Sequence, residues 1–205
     1  YGIYNDSTNK FVQKGVQWVA EVPENDSLTV FCKNGKRGYL NVNTGEVVIE
    51  AQYRRAWIFS EGVAAVMKNG KIGFINRQNE TVIPFQYDYA DRNGMAIDYI
   101  FRSGYCVMTD KRGACGMIDP VGNWVVDAKY DCIWTPYKGK YRIVKDGDEY
   151  GMLDEKLAFI FPIEYDYIEV QPPSNYEHLV FSHDISCYDD LIFAPKYASS
   201  AASSK

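Results

Sequence analysis

The chain has 205 residues, 46% apolar and 24% charged, which suits one sizeable domain or one continuous repeat array. A formal net charge of -5 excludes a broadly basic, phosphate-tracking surface, so no nucleic-acid partner is expected. No run approaches the ~18 to 20 unbroken apolar residues of a membrane helix, and the richest, from Trp57 to Val66, is cut by Glu61 and Gly62.

Aromatic residues make up 15% of the chain, with 17 Tyr and 10 Phe, and these favour pleated, half-buried surfaces. In chain order the same pattern returns. Gly2-Ile3-Tyr4-Asn5 leads to Phe11-Val12, and Gly38-Tyr39-Leu40-Asn41 leads to Val47-Val48-Ile49 and Tyr53. Gly73-Phe74-Ile75-Asn76 leads to Thr81-Val82-Ile83-Pro84 and Tyr87-Asp88, then Gly116-Met117-Ile118-Asp119 to Trp124-Val125-Val126 and Tyr130-Asp131. Gly151-Met152-Leu153-Asp154 leads to Phe159-Ile160-Phe161-Pro162 and Tyr165-Asp166, and a sixth copy without its glycine runs from Ile185 to Tyr197.

The glycines recur at about 35 residues with one longer interval, a period that signals repeat architecture. The Asn34-Gly35 and Asn69-Gly70 pairs suit two-residue type I′ hairpins, so Val63 to Met67 should pair back on Lys71 to Asn76. A second turn follows the Asn or Asp that ends each glycine strand, and a third strand returns. Pro84 and Pro162 are expected to end that third strand, and turn geometry is expected to account for the glycines.

The fold expected is all-β, with tandem three-stranded antiparallel units of ~35 residues in an open, twisted, superhelical array stabilised by stacking. A closed propeller-like ring is the alternative. Residues 1–197 form one repeat domain, with units starting near 2, 38, 73, 116, 151 and 183, and 198–205 form a flexible Ala/Ser tail. The chain opens at Tyr1, not Met, so an upstream segment is expected to have been removed.

The stretch Phe59-Ser60-Glu61-Gly62-Val63-Ala64-Ala65-Val66, then Asn69-Gly70-Lys71-Ile72-Gly73-Phe74-Ile75-Asn76, then Val82-Ile83-Pro84 and Tyr87-Asp88, resembles the bacterial WG-repeat family. The resemblance covers about residues 31 to 182. It departs at the position of the eponymous Trp, which Arg37, Ile72, Cys115 and Tyr150 occupy. It implies short antiparallel β modules and an interaction role, with no shared catalytic residues.

Candidate chemistry is sparse. Asp88, Asp131 and Asp166 follow the repeat tyrosines and could line up for a cation, but a residue recurring in every unit is better read as a turn cap. His178 and His183 lack partners at ligand spacing, and no nucleophile-elbow serine or phosphate-cradling loop is present. The five cysteines (Cys32, Cys106, Cys115, Cys132, Cys187) show neither metal-ligand spacing nor a disulfide framework, and are expected to act as small buried hydrophobes. No catalytic residue, metal or cofactor is therefore expected.

Aromatic residues carry the binding signal. Trp57 and Trp134 stand four residues after a repeat tyrosine, where Asp91 and Glu169 stand in other units, and Trp124 replaces Glu46 and Thr81. Variation on a repeated framework diversifies a binding face; burial at irregular junctions is the structural reading. An insertion from Arg92 to Gly104, with Met95, Ile97, Tyr99, Ile100 and Phe101, either binds a partner or covers a strand edge. The binding candidates are thus Trp57, Trp134, Trp124, Tyr99 and Phe101.

These readings point to a non-enzymatic interaction module that binds a protein or peptide. A carbohydrate-binding surface and a hydrolase with a cleft of distant acids are the alternatives. No membrane insertion is expected. The Asn-x-Ser/Thr triplets at Asn5, Asn25 and Asn79 tilt location towards secretion or the cell surface.

Overall fold

The computed structural model describes residues 2–5, 9–20, 26–90, 99–134, 136, 140–171 and 190–195. His178, His183, Cys187, Asn25, Asp91, Met95, Ile97, the start of the sixth unit and the 198–205 tail lie outside them. Every element among the described residues is a strand, and every pairing is antiparallel.

A hairpin of β1 (Gly2–Asn5) and β2 (Lys10–Lys14) precedes the first complete unit. That unit is a four-stranded sheet in sequence order: β3 (Val16–Val19), β4 (Leu28–Lys33), β5 (Lys36–Asn41) and β6 (Val47–Tyr53). The second unit is β7 (Arg55–Ala56), β8 (Ala64–Lys68), β9 (Lys71–Ile75) and β10 (Thr81–Asp88). It continues into the third, β11 (Cys106–Thr109), β12 (Cys115–Ile118) and β13 (Trp124–Tyr130), through the pairing of Asp88 with Thr109. The fourth is β14 (Cys132–Ile133), β15 (Arg142–Asp146), β16 (Glu149–Leu153) and β17 (Phe159–Gln171), with β18 (Asp190–Pro195) alongside the far half of β17. No sheet of described residues closes into a barrel.

The expected meander stands in each unit, and a short strand (β3, β7 or β14) precedes it in units 1, 2 and 4. Asn34-Gly35 and Asn69-Gly70 have positive φ at both residues, as a type I′ turn requires, and hold Lys33 opposite Lys36 and Lys68 opposite Lys71. At the second turn a carboxyl or amide oxygen accepts from two backbone N–H groups in each unit. Asn76 Oδ1 takes Gln78 and Glu80, Asp119 Oδ1 takes Val121 and Asn123, and Asp154 Oδ1 takes Lys156 and Ala158.

The prolines do not end their strands. Pro84 lies inside β10 and Pro162 inside β17. Both sit where the ladder register shifts, between Ile83 and Tyr87 and next to the Met152–Phe161 pair, so no ladder hydrogen bond is asked of them.

The core lies between the sheets. Side chains alternate along each strand, so neighbours go to opposite layers: Ala64 and Val66 face the layer shared with unit 1, and Ala65 faces the layer shared with unit 3. Likewise Cys106 and Met108 join unit 2 while Val107 joins unit 4, and Ile143 and Val144 part the same way. Strands buried on both faces read as continuous apolar runs, and Ala64-Ala65-Val66-Met67 is one. Cys32, Cys106 and Cys115 are buried, the last two in these layers, whereas Cys132, also expected to be buried, is only half-buried.

Candidate functional site

Four of the five aromatic candidates belong to the framework. A tight turn with positive φ at Glu61 and Gly62 closes between Ser60 and Val63, and its counterpart at Ser103 and Gly104 closes between Arg102 and Tyr105. Aligned on these turns, Tyr99-Ile100-Phe101 matches Trp57-Ile58-Phe59. The extra residues of unit 3 are therefore 91–98, and Tyr99, not Asp91, stands in the place of Trp57.

Their surroundings agree. Tyr99 and Phe101 are 1% and 2% exposed, so neither can offer a face to a ligand. The Tyr99 hydroxyl lies 3.2 Å from the Ala90 N–H and 3.3 Å from Thr109 Oγ1, and Phe101 meets Phe74 edge to face at 5.1 Å. Trp57 is half-buried against Tyr99, with centroids 5.0 Å apart, and its carbonyl accepts from the Tyr39 hydroxyl at 2.7 Å. Trp134 stacks on Tyr150 at 6.0 Å against Ile143 and Met152 of unit 4. Three large aromatics at one repeat position, all packed inward, are structural.

The acids after the tyrosines also serve the fold. Asp88 pairs with Lys71 across β9 and β10 at 2.6 Å, and Asp131 Oδ2 accepts from the Gly147 N–H in the hairpin turn of unit 4 at 2.8 Å. Among the described residues, no cluster of three or more His, Cys, Asp or Glu side chains forms a metal site.

Trp124 behaves differently. It opens β13, is 39% exposed, and lines a groove of about 620 Å³ at the junction of units 2 and 3. Gln86, Tyr87 and Asp88 at the end of β10 form one wall. The β11–β12 loop supplies Asp110 and Lys111, with Thr109 behind, and the turn before β13 supplies Gly122 and Asn123. That loop is longer than the two-residue Asn-Gly turns of units 1 and 2.

The platform is held firmly. The Trp124 ring meets Tyr87 edge to face at 5.7 Å, and one of its atoms would lie 2.7 Å from a Cβ on Gly116. The Tyr87 hydroxyl donates to the Gly122 carbonyl, and burial raises the pKa of this phenol. Asp119 beneath the turn is held below the ordinary carboxylate range, chiefly by the Asn123 backbone N–H, with the Val121 and Gly122 N–H groups adding to it. At Asp110 desolvation, which raises the pKa, is outweighed by the Arg112 guanidinium at 2.7 Å and by the Arg112 and Ala114 N–H groups. The groove walls were not visible in the sequence, because they come from three separate segments.

Sheets in sequence order with layers of core between them define a tandem antiparallel β-repeat protein. The WG containing repeat family matches residues 38–71, 72–97 and 116–147, so the chain carries repeats of that family. No curated protein matches the chain. Among solved structures, it is similar to BamB from Moraxella catarrhalis, with 16% identity over 68% of this chain and 50% of that one and a TM-score of 0.44. It is also similar to Hsv2 from Kluyveromyces lactis, with 9% identity over 78% and 56% of the two chains and a TM-score of 0.46. A protein of unknown function from Bacteroides caccae shares 15% identity over 85% and 75%, with a TM-score of 0.33. The chain spans about half the length of the first two. No helix among the described residues is long and apolar enough to cross a membrane.

Proposed function

We propose that this chain is a non-enzymatic interaction module that holds a protein or peptide along the third strands of its units. One observation carries the reading. Val48, Val82, Val125 and Ile160 occupy the same position in four successive units and are 46%, 44%, 42% and 42% exposed. The next residue in each case (Ile49, Ile83, Val126 or Phe161) turns into a core layer. Stacking the units needs the inward residue and not the outward one, so a recurring exposed aliphatic position is surplus to the fold. Among the described residues, β6 and β13 are also the last strands of their sheets, with an outer row of backbone groups suited to an added strand.

A photo-crosslinking residue placed at Val82 or Val125 is expected to capture the same partner, and one at the exposed Lys36 is not. Equal capture from all three positions would remove the reading. Val82→Glu with Val125→Glu should weaken partner binding at least tenfold, while each exposed change shifts stability by no more than about 0.5 kcal/mol.

A further inference from the structure

We infer that the groove beside Trp124 is a binding site for a neutral oligosaccharide. This goes beyond the proposed use of the third strands and does not rest on it.

Asp88 and Asp110 line the groove, but each carboxylate already faces a cation: Lys71 Nζ lies 2.6 Å from Asp88, and Arg112 Nε lies 2.7 Å from Asp110. Lys111 adds a positive charge to the lining, and Asp119 adds a negative one under the neighbouring turn. Neither sign dominates, so a strongly cationic or anionic ligand would find no net field to attract it.

What remains is a flat apolar face ringed by polar groups. Gln86 and Asn123 are exposed amides. The Asn123 Nδ2 already donates to Asp119 Oδ2 at 3.3 Å and the Gln86 side chain bonds Tyr87, and each keeps further donor and acceptor capacity. The ion-paired carboxylates keep unused lone pairs, and Lys111 carries ammonium donors. The exposed indole is fixed from behind by Tyr87 and Gly116, so little side-chain entropy is lost when something stacks on it. A sugar ring offers the matching chemistry, with an apolar C–H face for the indole and hydroxyls that both donate and accept around its rim. A groove of about 620 Å³ falls within the ~300–1,000 Å³ range of small-molecule sites and has room for two or three sugar units.

The chain has four tryptophans, so a ¹⁵N-labelled sample gives a readable set of indole N–H signals. The probes are cello-, chito-, xylo- and manno-oligosaccharides of two to four units, with oligogalacturonates and a mixed short-peptide panel as comparators. At least one neutral oligosaccharide, at concentrations of order 10 mM or below, is expected to shift the Trp124 indole signal, assigned with Trp124→Phe. The Trp18 signal should not move. Gln86→Ala, an exposed change, should weaken that binding about fivefold, and Trp124→Ala should weaken it tenfold or more.

The inference is overturned if no neutral oligosaccharide moves the Trp124 signal, or if binding survives Gln86→Ala unchanged in a protein with wild-type thermal stability. It is equally overturned if the charged sugars or peptides bind and the neutral sugars do not. The Val82→Glu, Val125→Glu protein should still bind the sugar, which separates failure here from failure of the third-strand reading.

Discussion

A Cβ on Gly38 would come within 2.3 Å of the Ile49 carbonyl oxygen and 2.7 Å of the Glu50 carbonyl carbon. Gly73, Gly116 and Gly151 meet the backbone of their third strand in the same way, and none of the four has positive φ. Their role is close approach: the third strand bulges across each glycine, with Arg37 opposite Tyr53 but Tyr39 opposite Ile49. Turn geometry, the sequence-based expectation, explains Gly35 and Gly70 instead. Gly38→Ala should therefore cost about 2–4 kcal/mol in urea denaturation, because two backbones must part. Gly70→Ala has open space around its Cβ but φ of +79°, and should cost only about 1 kcal/mol. Asp119 supplies a pH dependence. Its folded pKa lies below the ordinary value, so its stabilising contribution is complete above about pH 4 and fades as pH falls through the folded pKa. Asp119→Asn should flatten the dependence of Tm on pH between about 5 and 2 relative to wild type.

The elements are joined by the tyrosines that end the third strands. The Tyr53 hydroxyl donates to Asn79 Oδ1 at 2.6 Å, in the second turn of the next unit, and Tyr87 makes the equivalent contact to the Gly122 carbonyl. Asn79 and Gly122 both have positive φ, and the acceptor is a side-chain amide oxygen in the first and a backbone carbonyl in the second. Tyr53→Phe keeps the ring and removes the latch, so it should cost about 1 kcal/mol by chemical denaturation. Asn79→Ala made in the Tyr53→Phe background should add less than it does alone, since the two act through one bond. The glycine period made the meander legible, and the hairpin strands, buried on both faces, read as near-unbroken apolar runs. The leading strands escaped notice because Arg55–Ala56 and Cys132–Ile133 are two residues long and carry no period. Counting from the tyrosine hid the match of Tyr99 to Trp57, since residues 91–98 intervene; counting back from Gly62 and Gly104 reveals it. At the site, Trp124 was legible as a departure from Glu46 and Thr81, but its neighbours Gln86 and Asp110 depend on a junction that no single segment encodes.

For the whole molecule, the placement of the core in separate layers decides how stability is shared. Each layer is lined by two adjacent units and screened from the next by a sheet, so neighbouring units are coupled and distant ones are not. Phe74 is wholly buried between units 2 and 3, with its ring against Phe101. Phe74→Ala should cost about 3–5 kcal/mol locally. In a single-core protein that loss would lower amide protection everywhere by a similar amount. Here hydrogen exchange should speed up most in β8–β12, the strands that line the emptied layer. The pairs β4–β5 and β15–β16 line only layers that Phe74 does not enter, so their protection should fall less. Equal loss of protection in all three regions would show that the layers unfold as one cooperative unit. A graded loss would mean that a ligand at the junction of units 2 and 3 stabilises mainly those two units, leaving the outer units to respond through their shared layers.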